Sequence, residues 1–229
     1  MILNPSKEFN LASFLAGIPL RVGYDRKWGF LLTKKMKDTK HLGNKHEVEC
    51  NLELAGLIGA KTADKSLSLK IEEKTFPELA GRNNIAIHPF TSDVVKQWPI
   101  ERFRLLAQRI SGELGLGVLI IGKEEYAGTG RLKFENLGKN IVNMINKTSL
   151  IELAQVIKQC KLLVSCDSGP VHLAASVGVP VIALFRNDLP GKTAKRWGPW
   201  GEGHIVIEKG SLDEITVDEV FNQIEGKLR

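Results

Sequence analysis

The stretch VSCDSGPVHLAASVGVPVIALF, from Val164 to Phe185, decides the fold class of this chain. It begins as an apolar strand that ends at Cys166, and a segment of small residues typical of a helix follows the turn Asp-Ser-Gly-Pro. Gly178 and Pro180 stop that helix, and VIALF is a second apolar strand. Apolar strands joined by a helix predict a βαβ unit of a parallel sheet that is covered on both faces.

The same alternation of strands and helices continues from residue 83 onward. Apolar residues recur at helical spacing between 99 and 114, and capping residues at Ser149 and Thr216 each precede an amphipathic segment. This pattern predicts a doubly wound, Rossmann-like α/β domain, in which ligands bind at the carboxyl ends of the strands. The predicted strands are NIAIHP at 84–89, GVLIIG at 117–122, IVNMI at 141–145, LLVSC at 162–166 and VIALF at 181–185.

The first 80 residues predict less regular structure. Apolar spacing favours a helix at 11–18, a strand at 21–24 and a second helix around 48–55. These elements contain too few strands for a sheet of normal size, and the segment 70–83 is typical of a linker. We therefore predict a domain boundary near residue 78.

Composition and residue spacing exclude several classes of protein. Of the 229 residues, 43% are hydrophobic and 25% are charged, as in ordinary soluble globular proteins. No apolar run is long enough to span a bilayer and no secretory signal is visible, so we expect a cytoplasmic protein. The three cysteines and five histidines lack the spacing of a metal site, so we expect neither a metal nor a cofactor.

The net charge of +6 comes mainly from lysine. A locally basic stretch attracts phosphates, nucleic acid or an anionic membrane surface, or it is simply a solvated face. The chain has no nucleic-acid motif and no basic repeat with interleaved aromatic residues, so we expect no nucleic-acid partner. The basic stretch consists of Arg21, Arg26, Lys27, Lys34, Lys35 and Lys37.

Three polar loops are expected to meet at the carboxyl edge of the predicted sheet. In the first loop, HPFTSDVVKQWP at 88–99, Thr91 and Ser92 offer hydrogen-bond donors and Lys96 offers a compact positive charge. This combination suits a diphosphate, whose oxygens accept several hydrogen bonds and whose charge must be neutralised. The alternative is an ordinary turn with a solvated lysine.

The second loop is the turn DSGP, and the third is NKTSL at 146–150. The amides of Ser168 and Gly169 lie at a helix amino terminus, where an anion is favoured. Asp167 suits a sugar hydroxyl or a ribose, and His172 lies in the first helical turn. The alternative is a plain helix cap with a packed histidine. The third loop either reads a nucleobase edge or only caps the next helix.

Several other chemistries lack their usual sequence motifs. CDSGPV is only partly similar to the GDSGGP around the nucleophile of trypsin-like proteases, and those proteins are antiparallel barrels. The chain contains no G-x-S-x-G nucleophile elbow, no Walker loop and no G-x-G-x-x-G fingerprint. ATP hydrolysis and hydride transfer are therefore not indicated.

Four segments resemble motifs of glycosyltransferase family 9, the lipopolysaccharide heptosyltransferases. HPFTSDVVKQWPIERF is similar to HPG-x-S…K-x-WP-x-E-x-F, and DSGPVHLAASVGVPVIALF is similar to D-[ST]-G-P-x-HLAAA-x-G-x-P-x-[IV]-A-LF. RWGPWGEGHIVI resembles the family's WGP…G segment. HEVECNLELAGLIG resembles H-x-V-x-x-N-L-x-L-L-x-x-L-G, so the resemblance covers nearly the whole chain.

The resemblance implies a GT-B architecture, in which two Rossmann-like domains face a cleft. It implies an ADP-heptose donor, a lipid A–Kdo or heptose acceptor of the lipopolysaccharide inner core, and catalysis without a metal. By motif, the diphosphate would contact Thr91, Ser92 and Lys96, the adenine would lie beside Lys147 and Thr148, and the sugar would face Asp167. The amides of Ser168 and Gly169 would bind phosphate, with His172 in support.

The resemblance also implies that the chain is divided into three parts. These are a partial acceptor-side domain at 1–78, a nucleotide-sugar-binding domain at 79–215 and a carboxyl-terminal helix at 216–229. The family's Gly-Asp turn, which carries the catalytic aspartate, has no counterpart here, so the general base is unassigned and we expect part of the amino-terminal domain to be missing. Asn146 and Arg186 stand where the family usually has glycine, which predicts an altered nucleotide pocket.

Three interpretations follow. The chain is an incomplete family 9 glycosyltransferase, a nucleotide-sugar-binding remnant or subunit without catalysis, or a GT-B enzyme that uses another donor. The basic stretch is expected to meet a phosphorylated acceptor or the inner membrane face as a peripheral contact.

Overall fold

The computed structural model describes residues 1–79, 83–123 and 134–229. The chain divides into two compact units. The smaller unit consists of Met1–Lys65 together with Pro190–Trp197, and the larger unit consists of Ser66–Leu189 together with Gly198–Arg229. A short segment from late in the chain therefore belongs with the first 65 residues, which the sequence did not predict.

The larger unit is built on a six-stranded sheet in which every neighbouring pair of strands is parallel. Its elements are β3 (Asn84–His88), α3 (Ile100–Glu113), β4 (Gly117–Ile120), β5 (Ile141–Asn143), α4 (Leu150–Lys158), β6 (Cys160–Cys166), α5 (Gly169–Ser176), β7 (Val181–Arg186), β8 (Ile205–Lys209) and α7 (Val217–Leu228). The strands follow the order β5-β4-β3-β6-β7-β8 across the sheet. This arrangement confirms the predicted α/β fold class.

The central strands are apolar because helices cover both faces of the sheet. All residues of β3 and β4 are buried, and α3 packs against α7 on one face. The main core joins apolar side chains of these strands and helices, such as Ile87, Phe103 and Phe221. Burial of a side chain of this size contributes about 1.5–3 kcal/mol, so this core dominates the stability of the larger unit.

Three details of the larger unit differ from the sequence prediction. β8 was not predicted, because its half-exposed edge position interrupts the apolar run. Leu150, an apolar residue of the amphipathic segment predicted after Ser149, is 73% exposed rather than buried. The first part of the segment predicted as a linker packs along α4: Gln155 Nε2 donates to the carbonyl of Glu72 at 2.9 Å, and Lys74 pairs with Glu152.

The smaller unit contains a two-stranded parallel sheet with a small core. Val22, Tyr24 and Leu54 form that core, and the buried Tyr24 hydroxyl donates to the carbonyl of Cys50 at 2.7 Å. Arg196 joins the late segment to this unit through an ion pair with Glu47 at 3.1 Å. The elements are α1 (Lys7–Leu15), β1 (Val22–Tyr24), β2 (Lys34–Met36), α2 (Glu47–Gly56) and α6 (Ala194–Trp197).

Among residues 1–79, 83–123 and 134–229, no helix combines the length and the apolar character needed to cross a membrane.

Candidate functional site

The strand order places a topological switch point in the middle of the larger sheet. From β3 the chain moves outward through β4 to β5, and it then returns to the other side of β3 to form β6, β7 and β8. The loops after β3 and β6 therefore leave the sheet in opposite directions, which opens a crevice between them at the carboxyl edge. Ligands of open α/β sheets bind at such a point.

An ion pair connects the two loops at this crevice. Lys96 Nζ donates to Asp167 Oδ2, and the two side chains are only 20% and 12% exposed. A partly buried pair is screened less by solvent than a surface pair, so each charge retains much of its effect. The structure thus brings together two residues that the sequence predicted separately, one for phosphate and one for sugar.

The loop that carries Lys96 is stabilised by its own hydrogen bonds. Thr91 is buried, and its hydroxyl donates to the carbonyl of Asp93 at 2.6 Å. Asp93 in turn accepts from the amide of Val95 at 3.3 Å, which caps the short turn leading to Lys96. Ser92 is exposed. The hydroxyl of Thr91 therefore holds the loop shape, while the Ser92 side chain remains open to a ligand.

Arg186 contacts the same loop from the end of β7, on the far side of β6. It ends β7, its Nη1 donates to the carbonyl of Val95 at 3.2 Å, and its guanidinium pairs with Asp188 at 2.5 Å. A glycine at this position would supply neither contact. Arg186 thus adds a cation next to the turn of Lys96 and fixes its backbone.

The turn after β6 exposes backbone amides at the start of α5. Ser168 is the N-cap residue, but its side chain makes no capping hydrogen bond to the helix within the described residues. A Cβ added to Gly169 would meet no described heavy atom within 4 Å, so this backbone is open on one side. His172 is half-buried in the first turn of α5. An uncapped helix amino terminus with an open glycine suits an anion.

The loop after β5 lies on the same edge but farther away. β5 is separated from β3 by β4, which corresponds to about 10 Å at the usual strand spacing. Asn146 has a φ of 62°, a left-handed conformation that glycine and asparagine tolerate best, and its amide donates to the carbonyl of Gly122 at 3.0 Å. Lys147 is exposed and Thr148 is half-buried. Asparagine thus preserves the backbone shape for which glycine is usual.

Two buried polar residues at this edge were missed by the sequence analysis. His88 ends β3 and Ser165 lies beside it in β6, and both contact the Ser168 hydroxyl. Burial lowers the pKa of His88 to about 4, so the imidazole is neutral at physiological pH. The available signal was a histidine and a serine inside apolar strands, since buried polar residues usually have a specific partner.

No group of three or more His, Cys, Asp or Glu side chains suited to a metal ion occurs among the residues that the structure describes.

The basic stretch of the smaller unit is partly paired. Lys35 pairs with Asp25 at 3.0 Å, Arg26 pairs with Asp38 at 3.2 Å, and Lys34 Nζ donates to the carbonyl of Leu57 at 3.0 Å. Local ion pairs and hydrogen bonds therefore compensate part of this positive charge.

The family model of glycosyltransferase family 9 (heptosyltransferase) matches residues 4–219. The lipopolysaccharide core heptosyltransferase OpsX of Haemophilus influenzae is 25% identical over 213 residues, which are 84% of this chain and 58% of that protein. The chain spans about half the length of the curated relatives it matches.

Two solved structures share the fold. A family 9 glycosyltransferase from Veillonella parvula superposes with a TM-score of 0.80 at 21% identity, covering 99% of this chain and 72% of the other. ADP-heptose LPS heptosyltransferase II of Escherichia coli gives a TM-score of 0.78 at 20% identity, covering 97% and 74%. With the family match over nearly the whole length, the chain belongs to glycosyltransferase family 9, the heptosyltransferase family, and has its GT-B type of fold.

Proposed function

We propose that this chain binds a nucleotide-sugar donor, ADP-heptose, as part of a cytoplasmic glycosyltransferase that builds the lipopolysaccharide core. The observation that carries the proposal is the Lys96–Asp167 pair at the switch point, next to the uncapped start of α5. A cation and open amides suit the diphosphate, and a carboxylate suits the hydroxyl groups of the sugar.

The proposed chemistry is transfer of heptose to a hydroxyl of an inner-core acceptor, lipid A–Kdo or a heptose already attached to it. The bond between the sugar and the diphosphate breaks, and ADP leaves with additional negative charge. Lys96 and the amides of Ser168 and Gly169 stabilise that charge where it develops. The acceptor hydroxyl must lose its proton to a general base, and we assign no residue of this chain to that role.

The remaining predicted residues have supporting roles in this proposal. Ser92 donates to the diphosphate, Thr91 holds the loop around it, and Lys147 and Thr148 flank the adenine. His172 supports the phosphate corner from the first turn of α5. The proposed donor domain remains 79–215 and the acceptor-side domain 1–78, with 216–229 as the final helix.

The first test is calorimetric titration of ADP and ADP-heptose into the full chain. We expect Lys96→Ala to weaken ADP binding by roughly 10- to 100-fold, because a charge-assisted hydrogen bond contributes about 1.5–3 kcal/mol. Asp167→Ala should leave ADP binding no weaker, since it releases Lys96, but should remove the extra affinity that heptose provides. Lys161→Ala is the matched control, because Lys161 is an exposed lysine of β6 away from its carboxyl end.

The alternatives give different results in this titration and in a transfer assay with the acceptor. A binding remnant would bind ADP-heptose but show no turnover when the acceptor is supplied. An enzyme for another donor would bind ADP-heptose no more tightly than ADP. If wild type binds neither nucleotide, the proposal is wrong.

A peripheral membrane contact through the basic stretch is a separate proposal. Lys34 and Lys35 are exposed on β2, and such residues contribute about 1 kcal/mol each near an anionic surface. We expect Lys34→Glu/Lys35→Glu to reduce co-sedimentation with anionic vesicles, while neutral vesicles bind neither protein. Unchanged sedimentation of the double variant would rule this contact out.

A further inference from the structure

Three polar side chains form a cluster directly beneath the start of α5. His88 is the last residue of β3, Ser165 is its partner in the register of β6, and Ser168 is the N-cap residue of α5. His88 is 7% exposed and Ser165 is fully buried. We call these residues the His88–Ser165–Ser168 cluster.

The cluster is closed by hydrogen bonds in several directions. His88 Nδ1 lies 3.2 Å from Ser165 Oγ and 3.3 Å from Ser168 Oγ, and the two hydroxyl oxygens are 2.9 Å apart. Both hydroxyls also donate to the carbonyl of Cys166, at 3.0 and 3.1 Å. These hydrogen bonds of the Ser168 hydroxyl therefore point into the protein, away from the helix that it precedes.

A count of protons shows what His88 contributes. Each serine has one hydroxyl proton, and both can be placed on the Cys166 carbonyl. The two oxygens then need a donor, which the neutral imidazole supplies when its proton is on Nδ1. His88 is thus the group that satisfies both hydroxyl oxygens once their protons are used.

The imidazole is held in place from its other side. Phe90 meets it edge-on with ring centroids 6.3 Å apart, and Phe90 itself lies against the backbone of Gly122. A Cβ at Gly122 would come within 2.5 Å of the Phe90 ring and 3.5 Å of His88 Cδ2. This close packing leaves the imidazole little room to turn away from the two serines.

The inward position of Ser168 has a consequence for the helix. An N-cap serine ordinarily turns its hydroxyl toward the first turn and accepts a hydrogen bond from an amide there. Its oxygen then lies in front of the first turn, in the space that an anion would occupy. At α5 the second helical position is Pro170, which has no N–H, so the amide of Val171 is the one that the Ser168 hydroxyl could cap, and that hydrogen bond is not made.

We propose that His88 is a positioning residue: together with Ser165 it holds the Ser168 hydroxyl inward, and this keeps the first turn of α5 open for a phosphate group of the nucleotide. The inference rests on the proposed function, since it assumes that a nucleotide diphosphate binds at this turn. His88 itself does not touch the ligand.

The test is a double-mutant cycle read by ADP titration of the full chain. We expect His88→Leu to weaken ADP binding at least 10-fold, because the released Ser168 hydroxyl can turn outward over the first turn of α5 and accept from the amide of Val171. In a Ser168→Ala background, which has no hydroxyl to release, His88→Leu should change ADP binding less than 2-fold. A merely structural role for His88 would lower stability without this dependence on Ser168.

Three further variants complete the test. His88→Asn retains a polar donor near the position of Nδ1, so it should restore binding to within about 3-fold of wild type. His204→Leu should leave ADP binding unchanged, since His204 accepts from Val181 at the opposite edge of the sheet. Ser165→Ala, which removes one partner of Ser168, should weaken ADP binding less than His88→Leu does. If His88→Leu does not fold, Ser165→Ala takes its place in the double-mutant cycle.

The outcomes separate the inference from the proposed function. If wild type binds no ADP, the proposed function is wrong and the inference falls with it. If wild type binds ADP and folded His88→Leu binds it equally well, or loses the same affinity with and without the Ser168 hydroxyl, only the inference is wrong.

Discussion

Charge at the candidate site is confined to a few side chains because burial keeps their neighbours neutral. Burial lowers the pKa of His88 to about 4 and raises the pKa of the Cys166 thiol to about 12. Cys166 accepts a hydrogen bond from the amide of Trp98 at 3.3 Å and stays protonated at neutral pH. A thiolate is the reactive form of cysteine, so Cys166 is a structural residue, and the local charge comes from side chains such as Lys96, Asp167 and Arg186.

The depressed pKa of His88 predicts a loss of stability in mild acid. Its folded pKa lies below the ordinary value near 6.5, so the unfolded chain binds the proton more readily between those values. Stability from this residue is complete above pH 6.5 and falls as the pH drops toward 4. We expect wild type to lose roughly 2 kcal/mol more than His88→Asn between pH 7.5 and pH 5, measured by urea unfolding. Parallel pH profiles of the two proteins would contradict this expectation.

Of the four long helices of the larger unit, α4 and α7 begin with a side-chain cap, whereas α3 and α5 begin without one. Ser149 and Glu152 form a complete capping box at α4, and Thr216 accepts from the amide of Glu219 at α7. Glu152 also pairs with Lys74 at 2.5 Å, and this contact, with the hydrogen bonds from Ser149, lowers the pKa of Glu152 to about 2. α5 has a serine at its N-cap, but that serine is turned inward. The two helices without a side-chain cap, α3 and α5, are those that follow β3 and β6, the strands on either side of the switch point.

Removing the cap of α4 should therefore reduce stability. We expect Ser149→Ala to lower the free energy of unfolding by about 1 kcal/mol, because it leaves an amide of the first turn without its acceptor. Leu150→Ala is the neighbouring control, since its side chain is mostly exposed, and it should change stability by less than about 0.5 kcal/mol. Equal effects of the two substitutions in urea unfolding would show that the cap does not stabilise α4.

The two units differ in the size of their cores. The larger unit joins strands and helices in one extensive cluster, whereas the core of the smaller unit is centred on Val22, Tyr24 and Leu54. Several large apolar side chains of the smaller unit are exposed, among them Phe9, Leu15 and Phe30. Since local stability follows the number of buried apolar contacts, the two units should open with different free energies.

Native-state hydrogen exchange measures this difference directly. We expect amides of β3, β4 and β6 to exchange only through global unfolding of the larger unit, and amides of β1 and β2 to exchange at least 100-fold faster. Substituting Ile87→Ala should accelerate exchange throughout the larger sheet, because it removes a fully buried side chain of the main core. Equal protection of both units in the wild-type chain would contradict this expectation.

Local sequence patterns determined much of this protein. The five predicted strands, the caps at Ser149 and Thr216 and the positions of the polar loops depend on neighbouring residues, so periodicity and capping residues indicate them. The parallel sheet followed from apolar strands alternating with helices, which need cover on both faces. The edge strand β8 and the short β2 were missed, because partial exposure weakens the apolar pattern.

Only the tertiary structure decided which distant residues meet. Lys96 contacts Asp167, and His88 contacts Ser165 and Ser168, because β3 and β6 are neighbours in the sheet. The packing of Pro190–Trp197 with the smaller unit is likewise a contact between segments that are distant in the sequence. Local propensity carries no information about strand order, which is set by how the helices and strands pack as a whole. The sequence therefore predicted which charged residues belong to the candidate site, but it did not predict that Lys96 and Asp167 form a pair.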